Sequence, residues 1–227
     1  MRSADRPVRT HPAPSDAPQP DDEAARAFGT AEAGFQAGLE RQGSLRAEFT
    51  FEDVPAPKRL APYATATAAT VRRDQADIAW GRLVLLFDPE EPEGWHGCYR
   101  LISYLRAEID PEIAADPMLG QVGWSWLIEA LDARTPGYAA PSGTVTRVTT
   151  EGFGGKADEP PVHGYEQRAS WSPAAGDMSL DGPDIAAHVT AWCDSLAAAA
   201  GLPPLALGAR PLPAPGRAGE QRQRRRR

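Results

Sequence analysis

His96, Cys98, Arg100, Arg106 and Glu108 crowd into the short run 96–108. A cysteine with a histidine base nearby is the smallest apparatus for thiolate chemistry, because the thiolate and not the thiol attacks. Two arginines on the same run offer forked N–H donors to an anion. If the run is a strand, period-two alternation puts Arg100, Arg106 and Glu108 on one face, and His96 and Cys98 share a face as well. No third group stands ready to orient a His96–Cys98 pair, so no catalytic residue is assigned. The plainer role of the two arginines is cross-strand ion pairing, and that of His96 and Cys98 is structural. As a ligand site the run reduces to His96, Arg100, Arg106 and Glu108.

Carboxylates gather close by. Asp88, Glu90, Glu91 and Glu93, with Glu108, Asp110, Glu112 and Asp116, have the oxygen chemistry a hard cation takes. The spacing lacks the D-x-D-x-D-G pattern and terminal Glu of a calcium loop. The run DPEEPEG at 88–94 reads as a solvated, proline-broken loop that keeps a sheet edge soluble, and no metal is expected. The histidines (His11, His96, His163 and His188) show no HExxH or HxH spacing. GFGG at 152–155 lacks the Lys-Ser/Thr of a phosphate loop, no G-x-G-x-x-G follows a strand and no G-x-S-x-G occurs, so no cofactor is expected. His188 and Cys193 are five apart on a helix and do not stack, so Cys193 reads as core. Trp80, Trp95, Trp124, Trp126, Trp171 and Trp192 lie mostly inside predicted elements and are expected in the core. Trp124 and Trp126 cannot both point inward from one helix, which leaves one half exposed, as at a binding hot spot.

The elements that must position these groups follow from periodicity. Asp21-Asp22-Glu23 sets negative charge at a helix start. Ala24, Ala27, Phe28, Ala31, Phe35 and Leu39 then follow helical spacing, weakened by Gly29, Gly34 and Gly38, each costing up to about 1 kcal/mol relative to Ala. From 45 to 110 the period becomes two. Strands are predicted at Leu45–Val54, Tyr63–Val71, Ile78–Phe87 (the most apolar, hence central) and Tyr99–Ile109, with a hairpin turn at Asp74-Gln75-Ala76. A turn of helix fits between Asp110-Pro111 and Asp116-Pro117. Val122–Arg134 is an amphipathic helix with Val122, Trp126, Leu127, Ala130 and Leu131 on its inner face, stopped by Thr135-Pro136-Gly137. Gly143–Thr150 and Glu166–Trp171 are strands around a polar loop at 151–164. Asp184–Ala200 is a helix capped by Gly201. The expectation is α+β, an antiparallel sheet of about six strands with three main helices in the order α-β-β-β-β-α-β-β-α.

Composition bounds the rest. The 227 residues hold 23 Pro and 21 Gly, so much of the chain is loop or tail. A single α+β domain is expected at 24–205, between disordered tails at 1–23 and 206–227. There are 22 Arg, 2 Lys, 40 Ala and no Asn, a codon bias toward GC more than a nucleic-acid signature. The net charge is −7, yet residues 208–227 hold seven Arg against the single Glu220. Any weak, sequence-blind contact with nucleic acid or another anion is therefore expected through Arg222, Arg224, Arg225, Arg226 and Arg227. No apolar run approaches the roughly 18 residues of a membrane span, and the first twenty residues lack the apolar stretch of a secretory signal. A cytoplasmic protein with two reduced thiols is expected, without membrane contact.

RLAPY at 59–63, GRLVLLFDPEEPEGW at 81–95, YRLISYLRAEIDPEIAADPML at 99–119, WSWLIEAL at 124–131, GTVTR at 143–147, RASWSP at 168–173 and HVTAWCDSLAAAAGLPP at 188–204 resemble one uncharacterised actinobacterial family, domain of unknown function three thousand. The resemblance covers roughly 24–205, implies a GC-rich actinobacterial host, and carries no activity and no catalytic residue. The element order also looks like the type III secretion chaperone arrangement. With no nucleophile–base pair, metal spacing or cofactor loop, the favoured function is a non-catalytic binding or adaptor module, chaperone-like, with a protein partner or a second copy of itself. The alternative is an enzyme or small-anion-binding protein with a site around His96, Cys98, Arg100, Arg106 and Glu108.

Overall fold

Strand-forming residues dominate the middle of the chain, and six strands pair into one antiparallel sheet. The computed structural model describes residues 20–174 and 182–205. The Arg-rich stretch 206–227 and residues 1–19 lie outside them, and the readings made of those tails with them. In chain order come helix α1 (Pro20–Leu45), strands β1 (Phe49–Asp53), β2 (Tyr63–Arg73), β3 (Ala76–Phe87) and β4 (Tyr99–Glu108), the short α2 (Pro111–Ala115), α3 (Leu119–Arg134), β5 (Tyr138–Thr150), β6 (Val162–Pro173) and α4 (Ile185–Ala199). The sheet order is β1-β2-β3-β4-β6-β5. The class is α+β as expected.

The boundaries differ where local signals compete. α1 begins at Pro20, inside the stretch expected to be tail, and runs through Leu45, which was expected to open a strand. Its buried positions Ala31, Phe35, Leu39 and Gln42 carry the helical stripe up to that point, so the period-two reading starts only at Phe49. Asp74 and Gln75 close the β2–β3 hairpin with φ of 53° and 68°, the left-handed pair of a type I′ turn whose twist suits the strands. The acidic loop 88–98 joins β3 to β4, the middle of the sheet, and so guards no edge; the edges are β1 and β5.

α1, α3 and α4 cover one face of the sheet. From it Leu83, Leu85, Leu101, Leu105, Tyr165 and Trp171 point into the helices, all fully buried. α4 lies across the middle, between α1 and α3, with Trp192 and Leu196 over Gly81. Two glycines set how close α4 comes. A Cβ on Gly38 would stand 2.8 Å from the Val189 Cβ, and one on Gly81 would stand 2.9 Å from the Trp192 ring. Gly38 thus weakens α1 as an isolated helix but lets it approach α4. Asp184 caps α4 by accepting from the Ala187 amide at 3.0 Å, and Gly201 with φ 66° ends the turn after it.

The inner face of α3 is not quite the expected one. Leu127, Ala130 and Leu131 are buried, but Val122 is 43% exposed and Gly123 takes its place. The Tyr165 ring occupies the space a side chain on Gly123 would need, and its hydroxyl donates to the Gly123 carbonyl at 2.9 Å. Of the six tryptophans only Trp171 and Trp192 are core; Trp80, Trp95, Trp124 and Trp126 are half-buried.

Candidate functional site

Alternation along β4 sends every even-numbered residue to the face that the helices leave uncovered. Cross-strand register aligns Trp80 with Arg106, Arg82 with Tyr104, and Val84 with Ile102 on β3 and β4. On the other flank Arg106 meets Glu166, Tyr104 meets Arg168, and Ile102 meets Ser170 on β6. One part of this face is closed by loop residues: Val54, Ala56, Ala61 and Trp95 pack over Ala66, Val84 and Leu86. The rest carries a cluster of aromatic and cationic groups. The Trp80 and Tyr104 rings lie 5.8 Å apart at 59°. The Arg168 guanidinium carbon sits 5.4 Å from the Tyr104 ring centre, within cation–π range. Arg82 is anchored by a 2.6 Å bond from Nη2 to the Pro55 carbonyl. Burial, with Glu166 beside it, raises the Tyr104 hydroxyl above its ordinary pKa.

Two depressions flank the cluster. One, of about 280 Å³, lies at the end of the sheet and is lined by Trp80, Arg106, Glu108, His163 and Glu166 among others. The second, a shallow groove of about 360 Å³, runs between Ile102, Tyr104, Ser142, Arg168 and Ser170.

The structure distributes the expected site residues as follows. Arg106 and Glu108 line one depression together. Arg100 shares their face but stands six residues back along β4, roughly 20 Å at strand rise. It is 9% exposed and bonds neutral hydroxyls: Nη2 to Ser170 Oγ at 2.7 Å and Nη1 to Ser172 Oγ at 3.3 Å. The ion pairs among the described residues are Arg72–Asp77, Arg134–Asp194, Lys156–Glu159 and Arg168–Glu166. Cross-strand ion pairing therefore accounts for neither Arg100 nor Arg106. His96 is on no strand; it sits exposed in the β3–β4 loop with φ 59°. Cys98 precedes β4, and its Sγ donates to Glu91 Oε1 at 3.5 Å. Partial burial first, then Glu91 and Asp88, raises the thiol pKa, the reverse of what activates a nucleophile. Cys98 and Cys193 are both free. Among the described residues no His, Cys, Asp or Glu group has the geometry to hold a metal, and no helix is long and apolar enough to cross a membrane.

Trp80, Arg82, Tyr104 and Arg168 were not picked out from the sequence as site residues. Arg168 lies 64 positions from Tyr104 in the chain, and only strand register brings the two together.

The architecture is an α+β sheet protein, roofed by helices on one face and bearing an aromatic–arginine cluster on the other. The chain belongs to the family described as protein of unknown function (DUF3000), which matches residues 27–209. No curated protein and no solved structure matches it.

Proposed function

We propose that this protein is a non-catalytic binding module that docks a protein partner on the helix-free face of its sheet. The observation that carries the reading is the cluster of Trp80, Tyr104, Arg82 and Arg168 on three neighbouring strands, β3, β4 and β6. Tryptophan, tyrosine and arginine are the residue types that dominate interface energetics, because each removes a large area from water and still offers a directional polar contact. Three arginines, Arg82, Arg106 and Arg168, around two aromatic rings favour a partner segment with acidic and apolar side chains, an arrangement in which complementary charge steers encounter. A catalytic role has less support. The raised Cys98 thiol and the outlying His96 supply no activated nucleophile.

The test is a matched pair of affinity columns carrying the natural chain and a Tyr104→Ala, Arg168→Ala double variant with unchanged circular dichroism. A protein retained by the first and lost from the second, and whose affinity falls tenfold or more as expected for hot-spot residues, supports the reading. A partner bound equally by both places the interface elsewhere. Turnover of a small molecule that depends on Cys98 would replace the reading with an enzymatic one.

A further inference from the structure

Arg100 presents an unusual electrostatic problem. Arg100 as a residue is only 9% exposed; a guanidinium drawn partly out of water loses hydration, and the usual compensation is a carboxylate. Among the described residues no ion pair includes Arg100. Its partners are the hydroxyls of Ser170 and Ser172, and these use two of its five N–H donors. Each serine oxygen accepts from Arg100, so each hydroxyl proton is free to donate onward. Ser170 Oγ in turn lies 3.4 Å from Ser142 Oγ, and both serines line the groove on the open face. The result is a chain of donors, polarised by one buried charge, that ends at a solvent-facing depression. The β5–β6 ladder is also broken here. Its register shifts between Ala139 and Ser142, opposite Ser172 and Ser170, and Ala140 takes φ 47°. Bulges of this kind cluster beside functional sites.

We infer that Arg100, Ser170, Ser172 and Ser142 form a binding site for a phosphate-class oxyanion. Four donor groups without a carboxylate match a tetrahedral anion, which accepts in several directions, better than a planar carboxylate with two oxygens. The anion supplies a countercharge that no ion pair among the described residues gives Arg100, and accepts from the hydroxyls in the groove. The site does not rest on protein docking: Arg100 and Tyr104 are four residues apart on β4, and the probe is inorganic phosphate alone.

The experiment is calorimetric titration and thermal melting of the full chain with inorganic phosphate, ionic strength being held constant with chloride. Saturable binding and a rise in melting temperature are expected for the natural chain. Ser170→Ala, a small change on a half-exposed residue, should melt somewhat below the natural chain without phosphate, because Arg100 loses its 2.7 Å acceptor, and bind phosphate about tenfold more weakly, the equivalent of one lost charge-assisted hydrogen bond. Arg100→Gln should not bind; if it fails to fold, Ser170→Ala and Ser142→Ala still decide the matter. Absence of saturable binding by the natural chain, or unchanged affinity in Ser170→Ala, overturns the site. Acetate binding as tightly as phosphate overturns the phosphate class. Trp80→Ala, which removes a docking residue that does not line this groove, should leave phosphate binding intact, so loss of either the anion site or the docking surface is read separately.

Discussion

The two faces of the sheet are built from the same strands and obey opposite rules. On the helix side, the odd-numbered residues in the middle of β3 and β4 are aliphatic or small and sealed: Leu83, Leu85, Leu101 and Leu105 are inaccessible. On the other side, even-numbered residues of the same strands include Trp80, Arg82, Arg100, Tyr104 and Arg106. The first also takes in buried polar atoms without a partner, among them Ser103 Oγ, Gln167 Oε1 and Trp192 Nε1. The second keeps its charge and rings in groups, closed by loops only around Val84 and Leu86. One face holds the molecule together and the other is left to recognise something, which is why substitutions on the two should separate stability from binding.

The sharpest break between them is at Trp192, fully buried between α4 and the sheet. Trp192→Ala should cost about 3–5 kcal/mol in denaturant unfolding; a loss below about 1 kcal/mol would mean that α4 does not seal this face. Acid should act on the same layer. His188 is inaccessible, and its Nδ1 accepts from Trp171 Nε1 at 3.2 Å. Burial lowers its pKa to about 4, with Asp184 opposing only weakly. The unfolded chain, with a histidine near 6.5, therefore binds more protons as pH drops below 6.5, and stability falls until the folded pKa is passed. The loss attributable to His188 is about 3 kcal/mol between pH 7 and pH 4, and a His188→Gln variant should show a correspondingly flatter stability profile over that interval. Gly81→Ala sharpens the comparison further, since its Cβ would meet the Trp192 ring. A cost of about 1–3 kcal/mol is expected from overpacking, measured as a shift in the urea midpoint. The smallest stability effect belongs to the open face. Tyr104→Ala should cost about 1 kcal/mol or less, while partner affinity falls tenfold or more. A large loss of stability there would show that Tyr104 serves the core instead.

Much of the fold was legible because period-two and period-3.6 patterns are local. The β2–β3 hairpin, the strand reading of 99–109 and the capped C-terminal helix all follow from residues near one another in the chain. What was hidden depended on distant contacts. Leu45 fits a strand start by its neighbours, and only the stripe that α1 lays against α4 makes it helical. Val122 has the apolarity for the inner face of α3, yet Tyr165, far along the chain, needs the room that Gly123 leaves. The candidate site was half visible. Arg100, Arg106 and Glu108 share a face by alternation on one strand. Trp80 reads as core and Tyr104 is not singled out, because strand alternation does not say which face a helix will cover, and Arg168 joins them only through the pairing of β4 with β6.

The helix that fills the centre of the helical layer is the last regular element among the described residues. Val189 closes on Gly38, and Trp192 closes on Gly81, across separations of more than a hundred residues. During synthesis the strands are complete, and their leucines uncovered, before α4 exists. A nascent chain stopped short of Ile185 has a sheet without the middle of its roof, and exposed apolar surface of that kind recruits aggregation or chaperones. Folding is then gated by the arrival of a late segment over long loops, which slows it relative to a protein closed by local contacts.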